Sequence, residues 1–302
     1  MSTKRELVLK AFRGEEVDRV PVGFWHHFAT ADEWLHGLDN PAIIEKNIAG
    51  HKKFVQEIQP DFVKIMSDGY FAYPNPALKT SVTSIKELAG IQSIGQEHEW
   101  YDKQVELIRQ VKATFTEDIV AIYNIFSPLT HLKWQLSGVV SDGDDIVARF
   151  YEEDKETLKK VLTVIAKDLA ILVEKVIKEA GSDGIYYSVQ TIQVPGLTGQ
   201  DYLAVAEEGD SIVLAAANQA GGQNILHICG YEGASNDITI FKDYDVQVFN
   251  WAVGPEGISL AEGRKLFGGK TVLGGFENTT SSLIYTGSQA DIEAETKRLI
   301  AE

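Results

Sequence analysis

The chain has 302 residues, of which 44% are apolar, and its formal net charge is −16. This length suits one large α/β domain or two small ones, and the apolar content is that of a globular protein with a full core. The acidic balance argues against a nucleic-acid-binding surface, which needs clustered lysines and arginines. An anionic small molecule could bind only where a local cationic pocket overcomes the negative field.

The amino terminus, the hydropathy pattern and the cysteine count favour a cytoplasmic protein without membrane contact. Residues 1–6 are charged and lack the apolar segment of a signal peptide. The longest apolar runs are interrupted by charges, so we expect no membrane-spanning segment. A single cysteine excludes an internal disulfide framework, and the cytoplasm is the simplest predicted location.

In chain order, apolar strand patterns alternate with helical patterns. A first helix follows the capping box Thr3-x-x-Glu6 and ends near Gly14. Seven strands are predicted, at residues 19–28, 62–66, 119–126, 184–189, 223–231, 245–251 and 271–276. Between and after them, helices are predicted up to about Gln59, from Ser84, over 102–115, over 144–180, through 214–219, from Ser259 and from Ser288.

Strands that alternate with helices call for a parallel sheet with helical crossovers. No Pro-, Gly- or Ser-rich linker divides the chain, so residues 1–302 are predicted to form a single domain. Seven strands nearly complete a TIM-type (β/α)8 barrel, an α/β fold from which the eighth strand is missing here. An open doubly wound sheet is the alternative, but no Gly-x-Gly-x-x-Gly turn joins a first strand to a helix.

Polar residues cluster at the predicted carboxyl ends of the strands, where the active sites of parallel barrels lie. They are His26, His27, Asp68, Ser127, Thr130, Ser188, Gln190, His227, Cys229, Asn250, Glu277 and Asn278. Each of them alone could be a turn residue, a helix cap or a solvated surface residue. Their shared position favours a joint functional interpretation.

His227 and Cys229 are two residues apart on a predicted strand, so both side chains project from the same face. Imidazole nitrogen and thiolate sulfur together suit zinc, although a core histidine beside a small buried cysteine is the alternative. A zinc site needs a third ligand, for which Glu277, Asp68 and His26 are candidates. The fourth position would accept a substrate thiolate or water, and zinc would keep the thiol deprotonated.

Several motifs in the same order resemble the uroporphyrinogen decarboxylase superfamily. They are residues 4–6 with 15–22, Ser67-Asp68, Ser127-Pro128-Leu129-Thr130, His227-Ile228-Cys229-Gly230, and residues 259–262 with Gly274-Gly275. The resemblance implies a TIM-type barrel with its active site in the mouth. It also implies catalytic roles for Asp68, His26 and Glu277. The substrate-binding residues that it implies are Trp25, His27, Ser127, Thr130, Trp134 and Asn250.

The chain departs from the true decarboxylases of that superfamily. Those enzymes carry an Arg-Gln-Ala-Gly-Arg-Tyr run after the first strand to hold substrate carboxylates, whereas the equivalent residues 25–30 contain no arginine. Asp68 matches the aspartate that grips the pyrrole nitrogens, and Trp134 stands where a tyrosine follows the Pro-x-Thr motif. A substrate with many carboxylates would be a poor match for an acidic chain without those arginines.

The His-x-Cys pair at 227 and 229 resembles the methyltransferase branch, which moves a methyl group between a corrinoid protein and a thiol. In that branch zinc is held by His, Cys and a second Cys, and the second Cys belongs to a final strand region beyond residue 302. The resemblance thus implies zinc-dependent methyl transfer between a methylcorrinoid and a thiol, with zinc and a corrinoid as cofactors and a corrinoid protein as partner.

Two alternatives to methyl transfer stay open. One is a divergent uroporphyrinogen decarboxylase, a carboxy-lyase in which Asp68 stabilises a protonated pyrrole. The other is a non-catalytic barrel that binds a tetrapyrrole or another small ligand.

Overall fold

The structure is a computed structural model that describes residues 2–140, 142–230 and 234–302. The helices are α1 Lys4–Phe12, α2 Pro41–Ile58, α3 Glu99–Ala113, α4 Pro128–Ser137, α5 Asp144–Lys178, α6 Gly199–Gln219, α7 Val253–Glu256, α8 Leu260–Leu266, α9 Leu283–Thr286 and α10 Gln289–Ala301. The strands are β1 Phe62–Ile65, β2 Val120–Phe126, β3 Gly184–Val189, β4 Ile225–Ile228, β5 Val248–Trp251 and β6 Thr271–Leu273. Short 3-10 helices span Ile85–Leu88 and Ile238–Phe241.

Within the described residues the six strands form one parallel sheet in the order β1-β2-β3-β4-β5-β6. Each pair of neighbouring strands is joined by a connection that contains helix, as parallel pairing requires. The sheet curls into a half-barrel, which is part of a TIM-type α/β barrel. The predicted fold class is therefore confirmed. Tyr231, the last residue of the predicted fifth strand, lies outside the described residues.

The two faces of the sheet pack against different partners. The inner face, defined here as the concave side, packs its first layer of side chains against Val8 and Phe12 of α1. This layer consists of Phe62, Val120, Ile122, Tyr186, Ile225 and Val248. Because side chains alternate along a strand, Lys64, His227 and Asn250 face the same interior one step closer to the carboxyl ends. Helix α1 closes the amino-terminal end, and the opposite end holds the polar side chains.

The predicted strand at residues 19–28 is wrong. This segment runs extended beside the residue that precedes β1, where Val22 O accepts a hydrogen bond from Asp61 N at 2.9 Å. The N–H of Val22, however, donates to the Asp61 carboxylate at 2.8 Å and not to a neighbouring strand. Pro21 has no N–H to offer, and the side chain of Val22 is 48% exposed. The apolar pattern of this segment therefore does not mark one buried face.

Asp210 of α6 joins the outer helical layer to the sheet. Its carboxylate is buried and accepts hydrogen bonds from Tyr187 OH at 2.5 Å, Tyr202 OH at 2.7 Å and Tyr244 OH at 2.8 Å. Burial raises the pKa of Asp210 to about 6, although the three hydroxyl donors oppose the shift. The folded state therefore holds this proton more tightly than the unfolded chain does.

Because the folded-state pKa of Asp210 is raised, its contribution to stability is complete below about pH 4 and is lost as the pH rises through about 6. The expected loss is about 3 kcal/mol of unfolding free energy. Urea unfolding of wild type and Asp210→Asn from pH 4 to pH 7 tests this, since the variant should gain stability relative to wild type over that range. The exposed Asp243→Asn is the control. A constant difference between wild type and Asp210→Asn would contradict the assignment.

Candidate active site at the carboxyl ends of the strands

A chain of hydrogen bonds fixes the imidazole of His227. The register of β4 with β5 places His227 opposite Asn250, whose Nδ2 donates to the Leu273 carbonyl of β6 at 2.7 Å. The amide oxygen Oδ1 then faces the interior, where it accepts from Tyr186 OH at 2.5 Å and pairs with His227 Nδ1 at 2.5 Å. Since Oδ1 only accepts, Nδ1 of His227 carries the proton and Nε2 keeps its lone pair.

His227 is neutral at physiological pH. Burial lowers the pKa of this half-buried imidazole to about 3, and the nearby positive charge of Lys64 acts in the same direction. The hydrogen bond with Asn250 opposes the shift without cancelling it. Nε2 is therefore a lone-pair donor that can accept a proton or bind a metal ion.

Cys229 follows the last residue of β4 and continues its pairing. Its N–H donates to the Val189 carbonyl of β3 at 2.8 Å, and its carbonyl accepts from Asn236 Nδ2 at 3.0 Å. Burial raises the pKa of the thiol, and the positive charges of Lys64 and Lys133 partly offset this shift. The residue is nonetheless not fully buried, so the sulfur can reach a ligand once it loses its proton.

His227 and Cys229 fit zinc chemistry as two donors, one a neutral imidazole nitrogen and the other a sulfur. Across residues 2–140, 142–230 and 234–302, no three His, Cys, Asp or Glu side chains come together as a metal-binding group. A zinc ion held by this pair would have to complete its shell from substrate, water or residues outside these ranges.

Asp68, one candidate for a third ligand, has its carboxylate occupied by residues 27–29, which lie about 40 positions earlier in the chain. Its buried carboxylate pairs with His27 Nδ1 at 2.8 Å through Oδ1. The other oxygen accepts the N–H groups of Phe28 at 2.7 Å and of Ala29 at 3.1 Å. Asp68 therefore anchors residues 27–29 to the end of β1.

The structure does not join His26 or Glu277 to His227 by any contact among the described residues. His26 is exposed, and its ring packs against Phe28 at 4.7 Å and against Phe54 of α2 at 5.4 Å between ring centres. The exposed side chain of Glu277 lies against Gly254 of α7, where its Oε1 occupies the space that a β-carbon would fill. Their catalytic roles stay predictions.

The predicted substrate-binding residues fall into three places. Trp25 and Asn250 lie at the inner face, where the Trp25 ring is 5.3 Å from the Tyr186 ring. Ser127 and Thr130 are buried at the start of α4, and Ser127 Oγ accepts the Thr130 N–H at 3.2 Å as a helix cap. The other two pack among aromatic rings. His27 packs against Trp34, and Trp134 packs against Phe71 and Phe126.

The comparison with protein families decides the membership of the chain. A family model described as uroporphyrinogen decarboxylase (URO-D) matches residues 70–302, which is well over half of the chain. The chain belongs to the uroporphyrinogen decarboxylase family. Members of this family are mostly enzymes, either decarboxylases or methyltransferases. No curated protein matches the chain significantly. In the described part of the chain, no helix has the length and apolar character to cross a membrane.

Sequence reasoning missed two residues of this family member's inner face, Tyr186 of β3 and Lys64 of β1. Lys64 of β1 is only 8% exposed, and its Nζ lies 3.8 Å from the centre of the Tyr186 ring and 5.6 Å from that of Trp25. Burial lowers the pKa of Lys64 to about 7. The sequence signal for Lys64 was that it is the only charged residue in the apolar run 62–66. A charged side chain in a fully buried strand is unfavourable and therefore points to a specific role.

Proposed function

We propose that this member of the uroporphyrinogen decarboxylase family transfers a methyl group from a methylcorrinoid to a thiol, with zinc held in part by His227 and Cys229. The observation that carries the proposal is the fixed tautomer of His227. Its Nδ1 is committed to Asn250, so Nε2 offers a lone pair near a cysteine two residues further along the chain. The proposal includes a corrinoid protein as methyl donor and a cytoplasmic location.

The residues of the inner face have definable tasks in such a reaction. Asn250 orients the imidazole, and Cys229 must lose its proton before its sulfur can bind a metal. Trp25 and Tyr186 supply apolar surface that excludes water from the reacting atoms. When bound, zinc supplies a Lewis acid that keeps the acceptor thiol deprotonated near neutral pH.

The overall change conserves atoms and electrons. A carbon–sulfur bond forms, and the cobalt–carbon bond breaks with its electron pair left on cobalt. The thiol proton passes to solvent. No oxidant or reductant is needed, since only the methyl group passes between the two substrates, without its bonding electrons, and the thiol releases its proton.

Decarboxylation of a porphyrinogen is less well supported by the contacts. The matching aspartate, Asp68, already accepts hydrogen bonds at both oxygens. The arginines whose side-chain hydrogen bonds are described pair with groups away from the inner face of the sheet. Arg5 binds Asp183 and Asp118, Arg13 binds Glu15, and Arg19 binds Asp61. Arg109 donates to the Glu179 carbonyl, and Arg298 binds Glu295 and Glu302. A carboxylate-rich substrate would therefore meet few cations in this interior.

The test compares the two reactions in the same preparation. The wild-type protein is produced with ample zinc, its metal content is measured by mass spectrometry, and it is incubated with methylcobalamin and a small thiol. We expect about one zinc per chain and formation of the methyl thioether, with little carbon dioxide released from uroporphyrinogen. Robust decarboxylation by a zinc-free protein that forms no thioether would overturn the proposal.

A further inference from the structure

A small cavity lies at the carboxyl ends of β1 and β2, where helices α3 and α4 meet these strands. Its wall includes Ser67, Trp100, Asn124 and His131. The space open to the centre of a water-sized sphere is about 10 Å³, which is the room that a single water molecule needs. Neither of the two residues proposed to bind zinc lines it, so the cavity is separate from the candidate active site.

Two residues of the cavity wall each have a buried polar atom that pairs with no other group in the described part of the chain. They are the indole Nε1 of Trp100, which only donates a hydrogen bond, and the amide Oδ1 of Asn124, which only accepts. Both residues are 1% exposed, so bulk solvent does not reach these atoms. The other end of the same amide is used, because Asn124 Nδ2 donates to Ser67 Oγ at 2.9 Å.

His131 of α4 supplies a third polar group to the cavity wall. Its Nδ1 pairs with the Phe71 carbonyl at 3.0 Å, and since a carbonyl only accepts, Nδ1 carries the proton and Nε2 keeps a lone pair. Burial lowers the pKa of His131 to about 4, so the imidazole is neutral at physiological pH. The buried His51 shows the satisfied arrangement, because its Nδ1 pairs with the Asn47 carbonyl and its Nε2 accepts the Met66 N–H, both at 3.0 Å.

The three groups together define the chemistry of a ligand. A buried N–H or amide oxygen without a partner costs free energy, so a molecule that pairs with all three groups stabilises the folded state. Such a molecule must accept one hydrogen bond and donate two. Water does both, whereas an anion cannot donate and a metal cation cannot accept.

We propose that the cavity binds one ordered water molecule, which accepts from Trp100 Nε1 and donates to Asn124 Oδ1 and His131 Nε2. The water then joins α3, β2 and α4. Through the hydrogen bond from Asn124 to Ser67, it also supports the residue that precedes Asp68. This inference is independent of the proposed function, because it involves neither a metal ion nor a thiol.

The test combines a high-resolution crystal structure of the wild-type protein with nuclear magnetic resonance in solution. The electron density should show a water peak at roughly 2.7–3.2 Å from both Trp100 Nε1 and Asn124 Oδ1. In solution, the indole proton of Trp100 should give a nuclear Overhauser cross-peak to water with the sign of a long-lived buried molecule. Trp251 is the internal control, because it is 2% exposed and its Nε1 donates to the Ile258 carbonyl at 2.9 Å. Its indole proton should show no such cross-peak.

Variants test whether the named atoms hold the water. Trp100→Phe combined with Asn124→Leu leaves one polar group in the wall, and the water peak should be lost because a buried water needs at least about two polar partners. Trp251→Phe removes an indole N–H elsewhere and should keep the peak. The proposal is wrong if the wild-type map shows no peak bonded to both atoms, if Trp100 contacts water no more than Trp251 does, or if the folded double variant keeps the water. Should the double variant fail to fold by circular dichroism, the two wild-type measurements decide alone.

Discussion

His227→Ala is expected to remove stoichiometric zinc and to abolish methyl transfer to a thiol, and Cys229→Ser should do the same. Each substitution removes one of only two described donors, and a site left with one protein ligand cannot hold zinc against water. The fold should survive, because neither side chain is fully buried and neither belongs to the apolar core. Zinc content, thioether formation and circular dichroism of each variant measure these outcomes.

Two control variants make this prediction specific. Asn250→Ala removes the partner that orients His227 without removing a ligand, so zinc affinity should fall by about 10- to 100-fold and not vanish. The exposed His36→Ala changes the histidine count alone and should behave as wild type. A His227→Ala protein that keeps one zinc and its transfer rate would show that this strand end is core structure.

Asp68→Ala is expected to destabilise the protein by about 3 kcal/mol. The carboxylate is completely buried and accepts two backbone N–H groups, from Phe28 and Ala29, and its loss leaves both donors without their acceptor. The segment 27–29 then loses its attachment to the end of β1. Urea unfolding followed by circular dichroism measures the loss.

Two further variants distinguish anchoring by Asp68 from direct catalysis. Asp68→Asn keeps an oxygen acceptor of the same shape, so it should restore most of the stability and of any activity that depends on the anchored segment. Asp32→Ala removes an exposed carboxylate and should change stability by no more than about 0.5 kcal/mol. If Asp68→Ala is as stable as wild type yet loses all porphyrinogen turnover, Asp68 is a catalytic residue and the lyase alternative gains support.

Local features of the sequence determined most of the secondary structure. The capping boxes at Thr3, Ser259 and Ser288 each begin a helix, and the one at Ser84 begins a short 3-10 helix. The apolar runs from residue 62 onward became strands, because each is flanked by helices that bury its outer face. These signals act between residues close in the chain, so sequence pattern alone carries them.

Local patterns did not predict the structure of the segment 19–28 correctly. Its apolar residues resemble a strand, but strand formation needs a neighbour with which to exchange hydrogen bonds. The neighbouring residue Asp61 offers its carboxylate to the N–H of Val22, and Arg19 pairs with the same carboxylate at 2.6 Å. Contacts with the Asp61 side chain, about 40 positions away in the chain, take the place of backbone hydrogen bonds to a neighbouring strand. No local sequence pattern predicts such contacts.

In the candidate site, too, some features follow from local sequence and others only from the tertiary structure. The sequence by itself predicted that His227 and Cys229 project from one face of a strand, because the alternation of side chains is a local property, whereas the structure ends β4 at Ile228, one residue before Cys229. Only the tertiary structure decided that Asn250 holds the His227 proton on Nδ1, that Asp68 is occupied by backbone N–H groups, and that Lys64 lies over Tyr186. Those outcomes depend on the register between separate strands and on the path of the segment before β1. Both are set by packing between distant parts of the chain, which fixes which polar groups meet.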